Sequence, residues 1–150
     1  MIHVLISLLG LATFVKKKHN ATFENYLVDK ISATMVQLDD LVLVFLYLSQ
    51  GFDWHLLTKK LEEWIDNKQK RIAIIGDTNI DFLEKKHKLL EFLDHKNFKQ
   101  IVQEPTHELG GLLDHVYLNP KLMNDKYQIA QRCTYFSDHD VITLFVPKAK

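Results

Sequence analysis

Five polar residues interrupt apolar stretches at three distant places: Asp77 and Asn79 in Gly76-Asp77-Thr78-Asn79, Asp114 in Leu113-Asp114-His115-Val116, and Asp138 with His139 after Ser137. Their types suit phosphodiester cleavage. Hard carboxylate oxygens can hold Mg²⁺, an aspartate can activate or orient water, and a carboxamide and an imidazolium can contact phosphate. An aspartate inside the apolar run LLDHVYL is costly to bury unless it is paired. A histidine is its natural partner, because a carboxylate both orients imidazole and stabilises imidazolium. Each group alone has a plainer reading, since Asp and Asn after a strand also make ordinary turns.

The elements that must position these residues follow from the apolar pattern. Residues 71–75, RIAII, read as a buried strand that empties into the Gly76–Asn79 loop, at the rim of a sheet where α/β proteins place ligands. Residues 31–38 and 41–47 read as an antiparallel hairpin turned by Asp39-Asp40, and the second arm, LVLVFLY, is apolar throughout, as in a strand buried on both faces. Asp53 caps a helix running to about residue 67, with Trp54, Leu57, Leu61, Trp64 and Ile65 on one face. That spacing makes both tryptophans core residues rather than platforms for bases. A second amphipathic helix is expected over 84–95, with Leu89, Leu90, Phe92 and Leu93 inward. Shorter strands are expected at 98–102, 112–118, 127–133 and 141–146, and residues 16–25 read as a polar loop.

Composition bounds the possibilities. With 150 residues, 47% hydrophobic and 25% charged, the chain is sized for one mixed α/β (α+β) domain over 1–150. The formal net charge is zero, so no overall electrostatic pull towards nucleic acid operates. The single cysteine, Cys133, excludes an internal disulfide, reads as a small buried apolar residue, and makes a reducing intracellular setting the expectation. Residues 1–15 are apolar but too short for a membrane span of ~20 residues. Lys16, Lys17 and Lys18 follow the apolar run, the reverse of a secretory signal, so strand with a bend or bulge at Gly10 is expected and no membrane partner.

The order GDTN, Thr106, LDHV, SDH resembles the endonuclease/exonuclease/phosphatase superfamily, which includes abasic-site endonucleases, DNase-I-like nucleases and retrotransposon endonuclease domains. The phrase PTHELGGLLDHVYL is most similar to the mobile-element branch, and the likeness runs from about residue 10 to the end of the chain. The resemblance implies a two-sheet, DNase-I-like β-sandwich flanked by helices and a Mg²⁺-dependent endonuclease, with Mn²⁺ as the substitute cation. It implies that Asp77 activates the attacking water, that Asn79 and His139 contact the phosphate, and that Asp114 orients His139. Asp138 matches the acidic residue near the metal, Tyr47 a tyrosine whose hydroxyl reaches the phosphate, and Thr106 a threonine lining the substrate groove. The implied substrate is nucleic acid, DNA before RNA, in an intracellular setting that includes the nucleus.

The chain departs from that pattern in three places. Thr78 stands where an aromatic is common, which alters packing rather than chemistry, and Tyr47 is not followed by the usual proline. The family's first strands, with an Asn and a metal-binding Glu, have no counterpart, so the chain reads as an N-terminally truncated domain; Glu24, in the polar loop, is not assigned that role. Two readings therefore stand beside each other: the C-terminal part of a Mg²⁺-dependent phosphodiesterase, active only in a longer or complemented form, or a decayed mobile-element fragment that keeps the scaffold without catalysis. A generic α/β binding module is the third. An unprotected sandwich edge would also invite self-association.

The remaining polar residues carry plainer expectations. His87 and His95 read as solvated helix residues, His107 as exposed, and the run Lys85–Lys88 as a solvated face. His115 must point to the opposite strand face from Asp114. Asp81 either extends the loop acidity or caps the helix that follows.

Overall fold

The computed structural model describes residues 2–7, 10–15, 20–67, 69–84 and 86–149. Five strands come first: β1 (Ile2–Ser7), β2 (Gly10–Val15), β3 (Thr22–Val28), β4 (Ile31–Gln37) and β5 (Leu41–Leu48). Helix α1 (Trp54–Ile65), strand β6 (Arg71–Asp77), helix α2 (Lys88–His95) and the short β7 (Lys99–Gln100) follow. The chain ends with β8 (Asp114–Leu118), α3 (Pro120–Met123), β9 (Gln128–Arg132) and β10 (Val141–Phe145). Six strands form one sheet in the order β3-β4-β5-β6-β8-β7, while β1-β2 and β9-β10 are separate antiparallel pairs. Within the large sheet only β5 and β6 run parallel, joined by the α1 crossover.

Side chains alternate across a strand, so each strand of this sheet feeds two cores. On one face Val42, Val44, Leu46, Leu48, Ile72 and Ile74 pack beneath Leu57, Leu61, Trp64 and Ile65 of α1 and Leu89 and Leu93 of α2. On the other face Leu43, Phe45, Ala73, Val116 and Leu118 meet Ile142 and Leu144 of β10. The sheet is therefore covered by α1 and α2 on one side and by the β9-β10 pair with α3 on the other. Every residue of β5 except Tyr47 is buried, as the unbroken run LVLVFLYL requires of a strand covered on both faces. The start of β6 is anchored by the buried Arg71, which donates to Asp40 (2.7 Å), Asp125 (2.9 Å) and the Pro147 carbonyl (2.7 Å).

The Asp53 carboxylate caps α1 by accepting from the amides of His55 (3.0 Å) and Leu56 (3.3 Å). Asp53→Ala leaves those amides unpaired and is expected to cost about 1 kcal/mol. An unchanged midpoint in denaturant unfolding would show that the cap is dispensable.

Several sequence expectations need correction. The polar stretch before residue 25 is not all loop, because β3 begins at Thr22 as an outer strand whose exposed positions tolerate polar residues. Helix α2 starts at Lys88 rather than 84: His87 is its N-cap, with Nδ1 accepting from the Leu89 amide (3.0 Å) and its ring stacked on Phe52. Asp81 does not cap that helix; its Oδ1 accepts from the amides of Leu83 and Leu112 and ties two loops together. Cys133 is exposed rather than buried. Of the basic run, Lys85 lies outside the described residues, and Lys88 pairs with Glu91 (3.0 Å). Residues 2–7 and 10–15 do form strands, with Gly10 at the hairpin and paired to Ser7; the burial of their side chains lies outside the description, Thr13 excepted.

Candidate active site

The register of the sheet builds the site. Tyr47 of β5 stands opposite Asp77 of β6, and Asp77 stands opposite Asp114 of β8, so the three form a row across adjacent strands. Two positions further into the sheet, Phe45, Ile75 and Val116 occupy the same face and are apolar. The row is thus the polar end of the inner face that packs on β10. Asp77 does not belong to the expected loop: it is the last residue of β6 and inherits the stiffness of a central strand.

His139 closes the row from the other layer. Its Nδ1–H donates to Asp114 Oδ2 at 2.7 Å, which turns Nε2 towards Asp77 Oδ2 (3.8 Å) and Asp138 Oδ1 (4.0 Å). Its backbone is pinned, with the amide donating to Ser137 Oγ (3.1 Å) and the carbonyl accepting from Thr134 Oγ1 (3.2 Å). Asp77, Asp114, Asp138 and His139 are thus brought together at one rim of the sheet.

Asn79 joins from the turn. It has a left-handed backbone (φ 52°), its amide donates to Asp77 Oδ1 (3.0 Å), and its Nδ2 donates to the Leu48 carbonyl at the end of β5. Among the described residues, one Nδ2 hydrogen and the Oδ1 of Asn79 have no partner. Thr78 is buried: its hydroxyl donates to the Leu113 carbonyl (3.1 Å) and accepts from the Ile80 amide (3.3 Å), a packing role in place of an aromatic.

Thr106 does not face a groove. Only 1% of it is exposed, and Oγ1 accepts from the amides of Leu113 (3.1 Å) and Asp114 (3.0 Å), so it sets the backbone from which Asp114 projects. His107, expected to be merely exposed, is half-buried and engaged. Its Nδ1 accepts from the Leu109 amide (3.1 Å), which leaves the proton on Nε2, and Nε2–H donates to Asp138 Oδ2 (3.1 Å). The only signal for this in the sequence was its place beside Thr106. His115 points to the helix-covered face, as its position after Asp114 requires. Its Nε2 meets the carbonyls of Ile80 and Leu112 (2.9 Å each), so Nε2 carries the proton and Nδ1 accepts from the Tyr117 hydroxyl (2.9 Å).

The electrostatics follow from burial and neighbours. Burial pushes the Asp77 carboxyl up to about 6, with the Asp114 charge adding to the rise and the Asn79 amide, His139 and His107 opposing it. Burial acts to lower the pKa of His139, but the hydrogen bond and charge of Asp114, with Asp77 and Asp138, outweigh it and leave the imidazolium favoured.

Two overlapping donor sets, Asp77–Asp114–His139 and His107–Asp138–His139, each bring their ligand atoms within 4.8 Å of one another. Each of the three carboxylates has one oxygen in a hydrogen bond within this cluster. The other oxygens of Asp77 and Asp138 face His139 Nε2 without bonding it. One or two carboxylate oxygens completed by water and substrate phosphate are the usual Mg²⁺ environment, so this donor set fits such an ion. Glu24 belongs to a different place: it accepts from Trp64 Nε1 (2.7 Å), pairs with Lys60 (2.6 Å), and lies on the helix-covered face. A cavity of about 470 Å³ lined by Ile65, Ile72, Phe98, Asn119 and Lys121 lies at the opposite end of β6.

No family model matches the sequence, and no curated protein matches it. Solved structures do. The chain superimposes with a TM-score of 0.63 on the endonuclease domain of TRAS1, a telomere-specific non-LTR retrotransposon, over 97% of its own length and 78% of that chain, at 12% identity. It superimposes with a TM-score of 0.65 on the Haemophilus ducreyi cytolethal distending toxin, over 92% of its length and 62% of that chain, at 17% identity. The chain shares a DNase-I-like fold with these two structures.

Proposed function

We propose that the chain is a Mg²⁺-dependent phosphodiesterase that cleaves nucleic acid, DNA before RNA. The observation that carries this reading is the hydrogen-bonded Asp114–His139 pair with its free Nε2 aimed between Asp77 and Asp138. Mg²⁺ held by Asp138, with Mn²⁺ as substitute, would offset the negative charge of a bound phosphate. Asp77 Oδ2, the oxygen not committed to the Asn79 amide, accepts a proton from the attacking water as the P–O bond to the leaving oxygen breaks, and that oxygen takes its proton from solvent. His139 presents Nε2–H to a phosphate oxygen, and Asp114 holds the ring and stabilises its cation. Asn79 offers its remaining amide hydrogen, and Tyr47, next in the row, offers its hydroxyl. His107 holds Asp138 by donating to Oδ2.

A scaffold without catalysis is the competing reading, and the observation that favours it is Glu24. The one acidic residue of β3 is bound to Trp64 and Lys60 on the far face and adds nothing to a metal site. Nicking of supercoiled plasmid separates the two. The proposal expects nicking with Mg²⁺ that stops in EDTA and falls about 10²–10⁴-fold in His139→Ala. Folded protein that leaves the plasmid intact with both Mg²⁺ and Mn²⁺ establishes the scaffold reading. Nicking undiminished in His139→Ala places the activity elsewhere.

A further inference from the structure

Two aromatic rings stand fully in solvent beside the site. Tyr135 and Phe136 are 107% and 87% exposed, and they immediately precede Ser137-Asp138-His139. Aromatic side chains are large apolar bodies that ordinarily contribute to cores and interfaces, and two consecutive ones projecting beside a polar cluster are unusual. Leu109, 86% exposed, lies on the loop that carries His107.

This segment is not a loose tail. The Glu108 amide donates to the Asp138 carbonyl (2.8 Å) and the Asp140 amide to the Thr106 carbonyl (2.7 Å), so the two loops are laced together. Thr134 Oγ1 donates across the turn to the His139 carbonyl (3.2 Å), with the Ser137 carbonyl alongside at 3.4 Å. The rings therefore project from a tied turn whose far end is His139. Three residues span at most ~10 Å, so Phe136 lies within that distance of His139 along the chain.

We propose that Tyr135 and Phe136 form a stacking platform for unpaired nucleobases flanking the phosphate that His139 contacts. The proposal rests on the phosphodiesterase reading for the identity of that phosphate. Charge helps choose the occupant. The chain has 19 Lys and Arg against 19 Asp and Glu, so it lacks the cationic excess that usually supplies affinity for nucleic acid. Stacking is an attraction every base can satisfy without that excess, and it suits a single strand whose ring faces are free. The platform would also separate a nucleic acid from a small phosphoester, which has no base to offer.

The test is binding of a single-stranded DNA oligonucleotide carrying 2-aminopurine, in Ca²⁺, with the strand checked for cleavage by gel. Stacking is expected to quench the probe, with a shallow dependence on salt. The double substitution Tyr135→Ala with Phe136→Ala is expected to abolish the quench and weaken binding at least tenfold. Tyr135→Leu with Phe136→Leu, which keeps apolar bulk without ring faces, is expected to do the same. Wild-type binding without quench, or quench and affinity unchanged in both double variants, overturns the proposal. So does a change in sedimentation of the variants without a change in DNA binding, which would give the rings to a second copy of the chain. Plasmid nicking reports separately: protein that stacks on bases and never nicks keeps the platform and loses the proposed reaction, and the reverse result does the opposite.

Discussion

Asp77→Asn is expected to reduce phosphodiester cleavage by about 10³-fold at neutral pH and, at the same pH, to make the protein more stable. Both effects come from one buried carboxyl. As the base, Asp77 must be ionised, and burial holds its pKa up to about 6. Activity in the unsubstituted protein should therefore climb as pH rises through about 6. It should fall again where His139 loses its proton, above the usual histidine range because Asp114, Asp77 and Asp138 outweigh the effect of burial. Asparagine keeps the Oδ1 acceptor for the Asn79 amide but cannot take a proton, so the acidic limb should vanish with the rate. The stability effect has the opposite sign. A carboxyl whose folded pKa lies above its unfolded value of 3.8 destabilises the fold once it is ionised, so stability should fall as pH rises from about 4 to about 6 and then level off. At 1.36 kcal/mol per pKa unit the ceiling is about 3 kcal/mol. Asp77→Asn should melt higher than the unsubstituted protein at pH 7.5 and at the same temperature at pH 4. A variant that loses activity and stability together would mean that Asp77 is a structural residue.

How much of this was legible in the sequence depended on what each residue answers to. The buried strands were readable because burial on both faces leaves only apolar residues, as in LVLVFLYL and RIAII, and no tertiary partner needs to be known. The row of Tyr47, Asp77 and Asp114 was implied only as a set, since register is fixed by pairing between distant segments. β3 was missed because an outer strand can be polar at its exposed positions. The start of α2 was placed too early because a histidine cap carries weaker sequence signals than Ser, Thr, Asp or Asn. Thr106 and His107 show the opposite limit. Their place in the motif was readable, but which way each side chain turns was decided by the amides of Leu113, Asp114 and Leu109, and composition says nothing about those.

Gly76 looked like punctuation before a turn, and the structure gives it a sterner task. It lies inside β6, opposite Leu46 of β5 and His115 of β8, with φ at 155°. A Cβ built there would sit 1.9 Å from the Leu46 carbonyl oxygen, 2.7 Å from its carbon and 2.8 Å from its nitrogen. Those are backbone atoms of a central strand at the buried Leu46, so no rotamer change can make room. Gly76→Ala must push β5 and β6 apart between the residues that carry the α1 core and the residues that carry the site. The expected cost is about 3 kcal/mol, a large share of the ~5–15 kcal/mol that holds a domain of this kind together. For 150 residues that corresponds to a melting temperature lower by about 6–12 °C. Any Gly76→Ala protein that still folds should have Asp77 displaced from Tyr47 and Asp114, and so should lose nicking beyond what its folded fraction explains. A thermal melt within about 2 °C of the unsubstituted protein would refute this account. Glycine at this position lets two buried strands approach closely enough to put a carboxylate, and not just a turn, at the end of the sheet.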